Sequence, residues 1–229
     1  MTEKAPAPHW QGHRDRLRRR LVQRGPSALD DYELLEILLF AFIPRRDVKP
    51  ISKALLARFG SLSGVFAAAP SDLVKVTGVG ETVAAYLSAT HEIGARVSRE
   101  TLQGKPIISR WTALLSYVRS QLQHETREQF RVLFLDRKNQ LIADELMSQG
   151  TVDQAPVYPR EIARRALELS ASALILVHNH PSGDPTPSQA DISLTREIMD
   201  ALAPFEITIH DHLIAAKHGV TSLKSEGLI

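Results

Sequence analysis

The run Ala173-Leu174-Ile175-Leu176-Val177-His178-Asn179-His180-Pro181 ends in two histidines and a proline, and the rest of the chain can be placed around it. Five consecutive apolar residues have the character of a buried strand. Side chains two apart on a strand share a face, so His178 and His180 emerge together at its C-terminal end. Pro181 has no N–H to give a ladder and stops the strand. Ser182-Gly183-Asp184-Pro185-Thr186-Pro187 then reads as a turn, and Ser188 as the N-cap of a helix running to about Ala203. Asp191 sits three residues into that helix, where its carboxylate can fold back toward the imidazoles. Two neutral imidazoles and one carboxylate, with no fourth protein ligand, describe an open zinc site of the catalytic type, because structural sites are closed by four protein ligands. Each piece has a plainer reading. His-x-His alone is a surface pair, and Ser-x-x-Asp alone is a capping box. The combination behind a buried strand points to metal.

Composition narrows the field. The 229 residues can bury one large core or two small ones. There is no cysteine, which removes disulfides, thiolate ligands and cysteine nucleophiles together. The zinc deaminase pattern, with its paired cysteines, is excluded as well. His-Glu-x-x-His is absent, since His91-Glu92 and His124-Glu125 lack a second histidine at the needed spacing. The longest apolar run, Ile37 to Ile43, is far too short to span a bilayer, and Met-Thr-Glu-Lys opens no signal peptide. The expectation is a cytoplasmic protein with no membrane partner. Net charge is +4 over residues 1–100 and −2 over the remainder, so a polyanion would favour the N-terminal half.

Periodicity divides the chain in two. Ala5-Pro6-Ala7-Pro8 reads as a loose tail, and His13 to Arg24 as a basic helix with an apolar edge at Leu17 and Leu21. Asp30 and Glu33 form a capping-box start for a helix from Asp31 to about Ile43, which Pro44 ends. Val48 to Phe59 is a third helix with Gly60 as its C-cap. Ser71 to Lys75 and Glu81 to Val97 form two more around Thr77-Gly78-Val79-Gly80. The expected organisation is an all-helical domain over 1–100, a linker over 101–106 with Gly104 and Pro106, and a second domain over 107–229. In the latter, helices are expected at Trp111–Gln123, Arg160–Ser170 and Ser188–Leu202. Strands are expected at Gln129–Leu135, Leu141–Met147, Leu174–His180 and Ile207–Ala215. Such mixing indicates an α/β domain with helices packed on one sheet.

His178 to Asp191 resembles the metal motif of the JAB/MPN (JAMM) metallopeptidases. Gly150-Thr151, Pro159-Arg160-Glu161, His178 to Asp184 and Pro187-Ser188 resemble the bacterial RadC branch. So do Asp211-His212 on a late strand and the tail Glu226-Gly227-Leu228-Ile229. The resemblance spans roughly residues 105–229 and extends to the N-terminal half, where RadC proteins carry a helix-hairpin-helix. It implies a cytidine-deaminase-like α/β sandwich around a mixed sheet, with one zinc per chain held by His178, His180, Asp191 and a water. Bound zinc lowers that water's pKa to about 7. A glutamate then accepts the water's proton and passes it to the leaving amine. The family's position corresponds to Glu128, with Glu125 and Glu145 open as alternatives. The resemblance gives Ser188 the oxyanion, a donor role commonly worth ~2.7–4 kcal/mol, beside its capping role. The family usually reads His-Pro-Arg-Glu where this chain has Tyr158-Pro159-Arg160-Glu161, and a phenol titrates far above neutrality. His210 invites a second metal site, but adjacent strand residues face opposite ways, which favours a supporting or packing role.

The implied activity is zinc-dependent hydrolysis of a peptide or isopeptide amide, with protein or peptide substrates. The alternative is a DNA-associated repair or recombination protein whose metal site is structural or vestigial. A two-metal nuclease fits less well, because the paired-carboxylate cluster is lacking. In the helical hairpin, Gly78 and Gly80 expose N–H groups to a phosphate, with Lys75 the nearby cation. Binding there would be non-specific and salt-sensitive, although Glu81 opposes it. The oligomeric state is not legible.

Overall fold

A computed structural model describes residues 12–102, 104–150 and 157–229. The Ala5–Pro8 tail, Gln103 of the expected linker and Thr151 lie outside the described residues. The chain forms two compact units, 1–92 and 93–229, and helix α6, Glu81–Glu100, runs through the division.

Among its described residues the first unit is helical: α1 His13–Arg24, α2 Asp31–Leu39, α3 Lys49–Phe59, α4 Leu62–Ala67, α5 Pro70–Leu73 and the start of α6. Leu35, Leu39, Leu55, Val65, Leu73 and Leu87 meet in its core. The Asp30/Glu33 capping box starts α2, with Asp30 N donating to Glu33 Oε2 at 3.1 Å. That helix stops at Leu39 rather than near Ile43. Residues 40–43 tighten into a turn in which Ala41 N and Phe42 N bond the carbonyls three residues back, as Pro44 denies Ile43 helical geometry. Gly60 closes α3 at φ +81°, a left-handed position that suits glycine. Helix α4 was not expected; Ser61 caps it, accepting from Gly64 N at 3.1 Å.

The second unit holds α7 Trp111–Leu122, β1 Gln129–Leu135, β2 Leu141–Gln149, α8 Pro159–Glu168, β3 Ala173–Asn179, α9 Gln189–Leu202, β4 Thr208–Ala216 and β5 Gly219–Ser222. The sheet runs β2-β1-β3-β4-β5, with β3 and β4 parallel and the other pairs antiparallel. Alternate residues face opposite layers. Leu133, Leu135, Ile175, Val177 and Leu213 pack with α7, while Val132, Phe134, Leu174 and Leu176 pack with Ile162 of α8 and Ile198 of α9. Helices therefore cover both faces, and every residue of β3 is buried, as its continuous apolar run requires. Strand β5, four residues without a marked pattern, was not expected.

This layout makes the site. Helix α9 links parallel neighbours β3 and β4, so its N-terminus must lie just beyond the C-terminal end of β3. Ligands of open α/β sheets collect at such strand ends.

Candidate metal centre

His178 is the penultimate residue of β3 and fully buried; His180 follows the strand. His180 N still donates to Ala215 O at 2.9 Å, which carries the parallel register one residue further. The two imidazoles thus share one side, with Nε2 atoms 3.0 Å apart. Asp191 reaches them from the first turn of α9: Oδ1 is 3.2 Å from His178 Nε2 and Oδ2 is 3.5 Å from His180 Nε2. No other group of this kind occurs among the described residues. Phe130 lies parallel to the His178 ring at 6.1 Å and edge-on to His212 at 5.5 Å, an apolar wall on the sheet side.

The donor set fits a small divalent cation. His180 Nδ1 is 2.9 Å from Asp184 O, and a carbonyl only accepts, so in the neutral ring Nδ1 carries the hydrogen and Nε2 a lone pair. Ligands about 2.0–2.1 Å from a tetrahedral zinc would be spaced by roughly 3.3 Å, close to the 3.0 Å between the two imidazoles and to the 3.2 and 3.5 Å that separate them from Asp191 Oδ1 and Oδ2 respectively. Burial alone would raise the Asp191 carboxyl, but when the facing imidazoles are protonated the contacts from His178 and His180, with Ser188, outweigh it and hold the group well below the usual carboxylate range. The Asp191 contact raises the His180 imidazole against its burial, helped by the Asp184 carbonyl and the charges of Asp191 and Glu128.

The Ser188/Asp191 capping box is formed, and it also holds the carboxylate. Asp191 Oδ2 accepts from Ser188 N at 2.7 Å and Ser188 Oγ at 2.6 Å, while Asp191 N donates to Ser188 Oγ at 3.2 Å. The Ser188 hydroxyl proton is therefore directed at Asp191 in this arrangement.

Between the two histidines, Asn179 faces the other way. Its Oδ1 accepts from Gln129 N at 2.8 Å, and its Nδ2 donates to Arg127 O at 3.1 Å and Glu125 O at 3.4 Å. The segment carrying Glu125 and Glu128 is thereby tied to the strand end that presents the imidazoles. Glu145 is engaged elsewhere, in a two-point contact with Arg165 at 2.6 and 2.8 Å; that contact, the largest influence on it, lowers its carboxyl.

A family model of the RadC-like JAB domain matches residues 108–228, which span the whole sheet and all three clustered side chains. The chain belongs to the RadC family. A second model, described as UPF0758 N-terminal, matches residues 9–85, and the second unit has the JAB/MPN-type fold. No helix among the described residues is long and apolar enough to cross a membrane.

Within this RadC-family domain the remaining expected positions sort as follows. His210 lies toward the other end of β4, its Nε2 2.6 Å from Asn139 Oδ1, and burial and the Lys224 charge lower its imidazole. Tyr158 is exposed, with the Arg160 guanidinium 5.5 Å over its ring. In the N-terminal unit Gly78 adopts φ +94°, and a Cβ there would come 2.8 Å from Ile51 Cδ1, so both backbone conformation and packing favour glycine in this turn. Lys75 Nζ is paired with Asp72 at 2.6 Å. The cation nearer Gly78 is Arg46, with Nη2 3.7 Å from where that Cβ would sit.

Sequence reasoning overlooked His212, Thr195 and Asn179 as parts of the site. His212 is completely buried, its Nε2 2.8 Å from His178 Nδ1 and its Nδ1 2.6 Å from Thr195 Oγ. Burial, then the neighbouring His178, holds its imidazole well below the ordinary range. The signals available were the family-like pair Asp211-His212, Asn179 between the two histidines, and Thr195 four residues after Asp191, hence on the same helix face.

Proposed function

We propose that the chain is a zinc-dependent hydrolase of peptide or isopeptide amide bonds, with one zinc per chain held by His178, His180 and Asp191. The observation that carries this reading is the convergence of His178 Nε2, His180 Nε2 and the Asp191 carboxylate, one ligand atom from each lying within 4.8 Å of the others. Electron-rich atoms at that spacing call for a cation, and two imidazoles with a carboxylate suit zinc. When bound, the ion supplies Lewis acidity and brings the ionisation of water down to about pH 7.

Glu128 is the proposed base, taking a proton from the attacking water and delivering it to the leaving amine. Two observations support Glu128: its charge reaches the His180 ring, and the next residue's N–H is anchored on Asn179. Glu145 is committed to Arg165. Ser188 would turn its hydroxyl from Asp191 toward the oxyanion as that charge develops.

The first test is bound-metal stoichiometry by elemental mass spectrometry on wild type, His178→Ala and Asp191→Ala. About one zinc per chain, lost in both variants, is expected; metal indifferent to both would sink the reading. Glu128→Gln should then keep its zinc and lose hydrolysis across a panel of fluorogenic peptide and lysine-isopeptide amides. Undiminished hydrolysis would move the base elsewhere.

A second reading has one observation behind it, Arg46 beside the Gly78 turn at the N-terminus of α6. Helix N-termini with a nearby cation favour phosphates, so the alternative is a DNA repair or recombination protein whose metal site is structural or vestigial. Salt-dependent binding to duplex DNA that weakens in Arg46→Ala would favour it.

A further inference from the structure

We propose that His212 and Thr195 are positioning residues which decide which ring nitrogen of His178 carries its hydrogen, and so aim the His178 Nε2 lone pair into the metal centre. The consequence for metal binding rests on the reading above, whereas the hydrogen-bond polarity does not.

The argument starts from a group with a single hydrogen. Thr195 Oγ lies 2.6 Å from the Asp191 carbonyl oxygen, which can only accept, so the hydroxyl hydrogen points there. The same oxygen lies 2.6 Å from His212 Nδ1. With its hydrogen already committed, the hydroxyl must accept, and His212 Nδ1 must donate. A neutral ring that carries hydrogen on Nδ1 has a bare Nε2. That bare nitrogen is 2.8 Å from His178 Nδ1, so His178 donates from Nδ1 and keeps a lone pair on Nε2. His178 Nε2 is the atom that faces His180 and Asp191.

The relay begins at the backbone of one proposed ligand, Asp191, and ends on the ring of another, His178. Every side chain in it is buried: Thr195 and His212 have no exposed surface. Bulk solvent does not reach the Thr195–His212 contact. A threonine bonded to the carbonyl four residues back is common in helices and by itself structural. The second contact, to His212 Nδ1, turns that habit into a device. With the opposite polarity, hydrogen would sit on His178 Nε2, pointing at His180 Nε2 3.0 Å away, where it would block a cation. On the other side of the centre the Asp184 carbonyl sets His180 in the same way. Outer partners of this kind generally fix ring tautomer and orientation, and their loss costs about 10- to 100-fold in metal affinity.

The test uses the full-length protein with ¹⁵N-labelled histidine, freed of metal, and correlates ring nitrogens with ring protons by NMR. His178 and His212 should both carry hydrogen on Nδ1; His178 with hydrogen on Nε2 would overturn the proposal without any variant. Thr195→Val removes the acceptor at nearly constant volume. It should shift both rings toward the Nε2-hydrogen form and weaken zinc binding about 10- to 100-fold in competition with a chelator. Thr195→Ser restores the hydroxyl and should restore both readouts. A valine variant with wild-type tautomers and affinity would sink the relay; if that variant fails to fold, the wild-type tautomers still decide. Wild type that binds no zinc, with His178→Ala no different, would defeat the metal reading, while the tautomers separately decide the relay.

Discussion

Two carboxylates in the second unit, the buried Asp144 and the half-buried Asp191, sit in clusters built on opposite principles. Asp144 on β2 is surrounded by donors: Tyr117 OH donates to Oδ2, and Arg131 Nε and Nη2 reach Oδ1, each at 2.9 Å. Burial, with the Asp144 charge, pushes the Tyr117 phenol up, so it stays a donor. Both oxygens there meet hydrogens, and the cluster is closed. Asp191 has donors from Ser188 on Oδ2, but Oδ1 points at His178 Nε2, which the Thr195–His212 relay leaves without hydrogen. A closed cluster is complete as folded. A cluster of converging lone pairs is one that a cation could complete.

Breaking the two clusters should therefore give opposite outcomes. Asp191→Ala should abolish bound metal, while the metal-free protein loses only ~1 kcal/mol, the scale of a helix-cap contact. Asp144→Ala should leave metal stoichiometry unchanged but cost about 3–5 kcal/mol, because Arg131 is left half-buried without its partner. Metal analysis and denaturant titration of both variants would break the comparison if each variant lost the same property.

Asn179 sharpens it. Its side chain is saturated like Asp144, yet it holds the segment that carries Glu128. Asn179→Ala should cost about 1–3 kcal/mol, leave zinc bound, and speed hydrogen exchange at the Gln129 amide. Slow exchange there in the variant would show that the segment is held by other contacts.

The smallest effect belongs to an ion pair at the surface. Arg165 holds the Glu145 carboxyl below its usual range. A depressed folded value means the stabilisation is present above the unfolded pKa of about 4.3 and lost as pH falls through the folded one. Half in water, the pair contributes about 1 kcal/mol or less. Glu145→Gln should flatten the acid limb of Tm against pH by that amount and leave the neutral region nearly unmoved. A loss as large as that of Asp144→Ala would mean this pair too is closed off from water.

Legibility followed the range of the interaction. Strand β3, the Ser188 cap and helix α9 are local, and so is the spacing that brings His178, His180 and Asp191 together, within 14 residues of sequence. Helix α4 escaped because Leu62–Ala67 contains Gly64 and is one short turn held by Ser61. Strand β5 escaped because Gly219–Ser222 is too brief to show a period. That Glu145 is engaged by Arg165 on α8, and that the segment of Glu125 and Glu128 is tied to Asn179 on β3, depends on partners remote in sequence.

His210 and His212 mark the limit most clearly. On composition either could support the centre. The pairing of β3 with β4 runs Leu174 to Ile209 and then Ile175 to Asp211, so His210 is an extra residue in a bulge. Beyond it Leu176 pairs with His212, which places His212 on the face of His178 and sends His210 to Asn139. A one-residue slip would flip every side chain that follows. Sequence alone determined the strand that carries His178, and the cap and helix that follow it, because neighbours along the chain set them. Only the tertiary structure decided which histidine stands behind His178, because that depends on the register of two strands joined through a whole helix.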